Sequence, residues 1–184
     1  MKNDVIILAM HGAPPKDFPR QEAVELFSLH ARLEHAHGSD RSALEQRYHE
    51  LEAKMRSWPR TPENDPFYAG SAALASQLSQ ETGYPVVLGF NEFCAPSIDE
   101  AFGQAMGPGT QRVFVVTAMM TRGGEHSEVE IPQAIQRARK RHPDIEIRYV
   151  WPFDVQQIAK FLASQIANFA LSGSTSADTA DHRR

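Results

Sequence analysis

Arg112-Val113-Phe114-Val115-Val116-Thr117-Ala118 is an apolar run without a turn residue, and shortly after it the chain reads Gly123-Gly124-Glu125-His126-Ser127-Glu128-Val129-Glu130-Ile131-Pro132. A β-branched run of that length reads as a strand covered on both faces, the pattern of a parallel sheet. The glycine pair opens a loop that lets backbone approach a ligand closely. Ser127-x-x-Glu130 has the form of a capping box, so a helix is expected to start there. Pro132 would remove one backbone bond from a helix begun that early, so the first turn is expected to be irregular and the regular helix to begin near Pro132. His126 therefore falls in a strand-to-helix loop. In open α/β sheets, ligands bind along that edge, outside the carboxyl ends of the strands.

Working outward, Asp4-Val5-Ile6-Ile7-Leu8-Ala9-Met10 is a second such strand, ended by His11-Gly12 and then Ala13-Pro14-Pro15. Two helices are expected near 21–36 and 42–58. The later one has the stripe Leu44, Tyr48, Leu51, Met55 and Trp58, a cap in Ser42-x-x-Glu45, and Pro59 to stop it. His37-Gly38-Ser39 is the turn between them. Asp65-Pro66 reads as a cap with proline at the first helical position, and Gly83 as the end of that helix. Residues 84–90 form the next strand, with Asn91-Glu92-Phe93-Cys94-Ala95 as its loop. Pro96 is expected to open a helix carrying Ile98, Ala101, Phe102, Ala105 and Met106. Residues 146–150 alternate like an edge strand. Asp154 caps a last helix with the stripe Val155, Ile158, Leu162, Ile166 and Phe169.

Strands alternating with helices imply an open, parallel, four-stranded sheet with helices on both faces and right-handed crossovers, with a helical insertion at 14–65. The expected organisation is one α/β domain over 1–171 and a disordered tail over 172–184, where small polar residues prevail.

The chain has 184 residues and a formal net charge of −4. It has no basic field to hold nucleic acid. One cysteine, Cys94, excludes an internal disulfide and suits a reducing cytosol. The apolar start is too short to span a membrane and lacks a signal-peptide form, so a cytoplasmic protein is expected.

In a parallel sheet the strand carboxyl ends share one rim. His11, Glu92 and His126 follow three different strands and so meet on it. Two imidazoles and a carboxylate suit a borderline divalent ion such as Co²⁺, Fe²⁺, Ni²⁺ or Zn²⁺, and three ligands leave positions open for a second reactant. The competing reading of each is bland: a solvated loop histidine, or a surface acid near a helix start. His30, His35, His37 and His49 in the insertion read as a solvated face before they read as a metal-collecting tract. Met119-Met120 reads as core packing, and Cys94 as a buried thiol before a metal contact.

Val5 to Gly12, Gly89-Phe90-Asn91-Glu92-Phe93 with Pro96-Ser97, and Gly123-Gly124-Glu125-His126 with Glu130-Ile131-Pro132 together resemble the class II chelatases. These are the short sirohydrochlorin cobalto- and ferrochelatases of cobalamin and siroheme synthesis. The resemblance covers residues 4–12 and 84–155. It departs at Ala13, Glu130, Met119–Arg122 and the length of 14–65. The resemblance implies a chelatase fold, a lyase that inserts Co²⁺, Fe²⁺ or Ni²⁺ as its substrate, and an acidic tetrapyrrole lying across the rim. It implies that His11 and His126 bind the metal, that Glu92 assists, and that short members pair as homodimers. No organic cofactor is expected. Gly12, Gly123 and Gly124 are candidates for close approach to the macrocycle. Lys16, Arg20 and Arg122 are candidates for its carboxylates. Two other readings compete: a carrier of metal or tetrapyrrole without turnover, and an α/β binding module with incidental histidines.

Overall fold

The computed structural model describes residues 3–33 and 39–174. Four parallel strands, β1 (Asn3–Met10), β2 (Val86–Phe90), β3 (Thr110–Thr117) and β4 (Glu146–Tyr149), form one sheet in the order β2-β1-β3-β4. The helices are α1 (Arg20–Leu33), α2 (Ser39–Arg56), α3 (Pro66–Thr82), α4 (Ile98–Ala105), α5 (Ile131–Arg141) and α6 (Val155–Ser174). A π-helical turn, His126–Glu130, precedes α5.

β1 pairs with β2 along one edge and β3 along the other, and helices cover both its faces, α4 and α5 on one and α3 on the other, which explains its unbroken apolar run. Ile7 and Ala9 face α4 and α5, in a core with Val113, Val115, Phe102 and Ile135. Leu8 and Met10 point the other way, toward Ala75 of α3 and Phe90. β4 lies at an edge, as its alternation predicts.

Helices α1 and α2 form the insertion. They bury their own small core of Phe18, Leu26, Leu29, Leu51 and Met55, with Leu44, Tyr48, Trp58 and Phe93 packed against it. All five expected stripe residues bear on that core, Leu51 and Met55 within it and Leu44, Tyr48 and Trp58 packed against it, Trp58 from just past the end of α2. Arg47–Glu25 and Lys54–Glu22 pair the two helices on their exposed side, both contacts opening at 2.6–2.7 Å.

Several local expectations are corrected. Helix α2 begins at Ser39, so Ser42 is a helical residue and not a cap. The turn expected at His37-Gly38-Ser39 falls mostly outside the described residues, as do His35 and His37. Pro96 does not open α4. Ser97 caps it, with Glu100 completing a capping box that the proline obscured. Asp65 does cap α3, its side chain accepting from the Tyr68 N–H, and Gly83 ends that helix at φ +70°. Helix α6 runs to Ser174, past the start of the expected tail, whose residues 175–184 are not among those described. Its cap holds, with Asp154 Oδ1 accepting from the N–H groups of Gln156 and Gln157. Its stripe is not buried: Val155 is 76% exposed and Ile166 71%.

Candidate metal centre

The site begins with three strand ends. His11 directly follows β1, Glu92 comes two residues after β2, and His126 opens the π turn after β3. In each case one ligand-type atom is offered, and these atoms all lie within 4.8 Å of one another. His11 Nε2 is 3.8 Å from Glu92 Oε2. The two imidazole rings meet edge to face at 4.6 Å between centroids. Among the described residues this is the group of three or more His, Cys, Asp or Glu side chains with that geometry.

Each ring is oriented through its other nitrogen. His11 Nδ1 lies 2.8 Å from the Gly12 carbonyl, which can only accept. His126 Nδ1 lies 2.8 Å from Glu130 Oε2. A carbonyl or carboxylate partner places the proton on Nδ1 and leaves the Nε2 lone pair free, the outer-shell arrangement found around histidine ligands. Glu130 Oε2 also accepts from Asn91 Nδ2 at 3.0 Å. One carboxylate oxygen thus ties the loop of Glu92 to the turn of His126.

The capping box expected at Ser127 and Glu130 does not form. Glu125 already has helical backbone, at φ −60° and ψ −44°. Ser127 is fully buried and its hydroxyl donates to the Gly124 carbonyl at 3.1 Å. Glu130 is engaged by His126 and Asn91 instead. The expected irregular first turn is the π turn itself, a form that recurs at functional sites. It is anchored from β4, where Tyr149 donates its hydroxyl to the Ser127 carbonyl at 2.8 Å; burial pushes that phenol up to about 12.

Gly12 has φ +100°, and a Cβ there would stand 1.9 Å from the Glu92 carbonyl oxygen. Its lack of a side chain is required by the neighbouring loop. Gly123, at φ +92°, faces open space, and Gly124 is exposed beside Ser127. Arg122 is engaged by Glu128 at 3.0 Å. That hydrogen bond holds the Glu128 carboxyl below its ordinary range. Lys16 and Arg20 are exposed at the entry to α1, and neither lines the cavity beside Glu92. Cys94 is fully buried and burial pushes its thiol up, the property of a packing residue. Met119 packs on the core, while Met120 is 39% exposed.

On the Glu92 side, the insertion closes a cavity of about 250 Å³ lined by Leu26, Phe27, His30, Tyr48, Glu52 and Phe93 among others. Burial raises the Tyr48 phenol, and the charges of Glu52 and Glu92 add to the effect. His49 is an exposed member of the insertion's histidine set. The sequence placed Glu130 in a capping box, Asn91 in a loop motif and Tyr48 on the α2 stripe, without their positions around the site. Only Glu130, four residues after His126, carried a local signal.

Residues 63–168 match the CbiX protein family. Over 78 residues the chain is 30% identical to a sirohydrochlorin ferrochelatase of Priestia megaterium, covering 42% of this chain and 29% of the relative. Over 70 residues it is 31% identical to a sirohydrochlorin cobaltochelatase of the same organism, covering 38% and 22%. The matched segment thus spans less than a third of these curated relatives. The fold is similar to the crystal structure of a CbiX protein from Marinobacter aquaeolei VT8, with a TM-score of 0.52 and 16% identity over 92% of this chain and 98% of that one. No helix among the described residues is long and apolar enough to cross a membrane.

Proposed function

The chain belongs to the CbiX family, and from that membership we propose that it inserts a divalent metal, Co²⁺ or Fe²⁺ with Ni²⁺ also in range, into sirohydrochlorin or a related acidic tetrapyrrole. The observation that carries this reading is the convergence of His11, Glu92 and His126 within 4.8 Å. The metal is a substrate. Insertion removes two pyrrole N–H protons and water from the ion: M²⁺ and the free-base macrocycle give the metallated macrocycle and two protons.

In this reading His126 and His11 present Nε2 lone pairs to the ion. Imidazole binds borderline metals without the permanence of thiolate, which suits a ligand that must release its cargo. Glu92 is a third ligand and accepts a proton as the metal leaves. The set is open to solvent, with the His11 side chain 44% and Glu92 33% exposed, so a planar substrate can reach it. Gly123 and Gly124 leave the approach over the π turn free of side chains. Lys16 and Arg20 remain candidates for substrate carboxylates, and Arg122 could serve only by exchanging Glu128 for one.

The test is the absorbance change of sirohydrochlorin with Co²⁺ or Fe²⁺ at substoichiometric protein. His126→Ala is expected to lose nearly all turnover while keeping its fold by circular dichroism. Turnover retained by that variant refutes the assignment, and binding of metal or tetrapyrrole without turnover by the wild type favours a carrier. A second copy closing the cleft belongs to the same reading, and a monomer in sedimentation under turnover conditions removes that part.

A further inference from the structure

The N–H groups of Asn91 and Glu92 donate to the Met10 and His11 carbonyls at 2.9 and 2.8 Å, but no strand donates to the carbonyls of the loop Asn91–Cys94, which need donors of their own. The helical insertion supplies them. Arg56, the last residue of α2, donates through Nη2 to the Asn91 carbonyl at 2.7 Å and through Nη1 to the Cys94 carbonyl at 2.9 Å. The Arg56 carbonyl accepts from the Ala95 N–H at 3.1 Å. Arg60, four residues on, donates through Nη2 to the Phe93 carbonyl and, at 2.8 Å, to that of Met55; its Nη1 reaches the Ala13 carbonyl at 2.8 Å and Asp65 Oδ2 at 2.6 Å. The remaining carbonyl, that of Glu92, accepts from the Cys94 N–H at 2.6 Å. Every carbonyl from Asn91 to Cys94 is therefore engaged, three of the four by two guanidinium groups.

The clamp holds an unfavourable backbone. Phe93 has φ +59°, a left-handed conformation that non-glycine residues avoid and that persists only when the surroundings over-determine it. Phe93 is the residue after Glu92. Release of the Asn91 and Cys94 carbonyls that flank it, held by Arg56, or of its own, held by Arg60, would let the peptide relax toward an extended form and turn the Glu92 side chain away from the imidazoles.

We propose that Arg56 and Arg60 are positioning residues for the metal site: the insertion is the part of the fold that holds Glu92 in the ligand set. The proposal rests on the reading of His11, Glu92 and His126 as metal ligands. A planar guanidinium suits the clamp because its two Nη atoms each reach a different carbonyl, Asn91 at 2.7 Å and Cys94 at 2.9 Å, where lysine has a single nitrogen.

The experiment uses the full chain and Co²⁺ alone, with affinity taken from calorimetry and ligand geometry from the visible absorption of the bound ion. Arg56→Gln is expected to weaken Co²⁺ binding by at least about tenfold, in the range for outer-shell partners, and to shift the spectrum toward that of Glu92→Gln. The double variant Arg56→Gln/Glu92→Gln is expected to be no weaker than Glu92→Gln, because both remove the same ligand. Arg56→Lys, which keeps the charge and one bond, should fall between wild type and Arg56→Gln, and it is read in place of Arg56→Gln should that variant not fold. A wild-type spectrum and affinity in the Arg56 variants, or losses that add fully to that of Glu92→Gln, overturns the proposal. Wild-type Co²⁺ binding by Glu92→Gln itself would remove the ligand reading, and the clamp's purpose with it.

Discussion

Replacing Glu130 by glutamine tests whether His126 is oriented as the geometry implies. The carboxylate oxygen Oε2 accepts from His126 Nδ1 at 2.8 Å and from Asn91 Nδ2 at 3.0 Å. Glutamine keeps the length and one accepting oxygen but loses the charge, and its amide nitrogen can turn toward the ring and favour the wrong tautomer. A hydrogen bond to a charged group is worth about 1.5–3 kcal/mol. The Glu130 side chain is 40% exposed, so water screens it and the lower end applies. About 1.5 kcal/mol corresponds to roughly a tenfold rise in the Kd for Co²⁺. Calorimetric titration at fixed pH and ionic strength measures it, with His126→Ala alongside. A Kd within twofold of wild type would show that Glu130 does not orient the ring. A loss as complete as that of His126→Ala would make Glu130 a ligand in its own right. Either result refutes the outer-shell role.

Two further predictions concern the frame around the site. Gly12→Ala combines φ +100° with a Cβ 1.9 Å from the Glu92 carbonyl oxygen, so an expected loss of about 3 kcal/mol or more in urea unfolding should accompany a displaced Glu92 loop; a loss under about 1 kcal/mol contradicts the close approach. Asp99 joins the start of α4 to the end of α5, and its hydrogen bond from Arg137, supported by Arg141, lowers its carboxyl below the ordinary 3.8. A lowered folded value stabilises above the unfolded one and ceases to do so as pH falls through the folded value. Asp99→Asn should therefore cost stability at pH 7, with the difference narrowing as pH falls below 3.8; a difference that stays constant through that fall would deny the linkage.

What the sequence made legible was whatever local pattern determines. Ile6 to Ala9 is a buried strand because nothing in it can face water, while Val113 to Val116 is buried on one face, at Val113 and Val115, and half-buried on the other. Asp65-Pro66 caps a helix because both residues act within one turn. The histidine and acid positions followed from strand ends on one rim. The misses share another cause. Ser127 and Glu130 have the spacing of a capping box, but Asn91, 39 residues away, and His126 engage the glutamate. A local signal loses when a distant partner offers a charged hydrogen bond. The clamp was hidden for the same reason: Arg56 and Arg60 look like ordinary residues at a helix end, and their acceptors lie 33–38 residues on. The α6 stripe was legible as a pattern, but a pattern does not reveal what covers it.

Sheet topology brings the three ligand-type residues near one another without bringing them together. Strands stand about 4.8 Å apart, so groups at the ends of β2, β1 and β3 would spread over roughly 10 Å if each continued straight up. Their ligand-type atoms are all within 4.8 Å. The missing distance is made up by the loops. The Glu92 N–H donates to the His11 carbonyl at 2.8 Å, which folds the second loop onto the first. Gly12 permits that contact because it has no side chain. The π turn swings His126 inward over His11, and Asn91 and Glu130 lock the two flanks together. It follows that grafting the strand-end residues alone onto another parallel sheet would reproduce the rim but not the cluster, whose Glu92 loop is bonded by Arg56 and Arg60 of the insertion as well as by the strand ends.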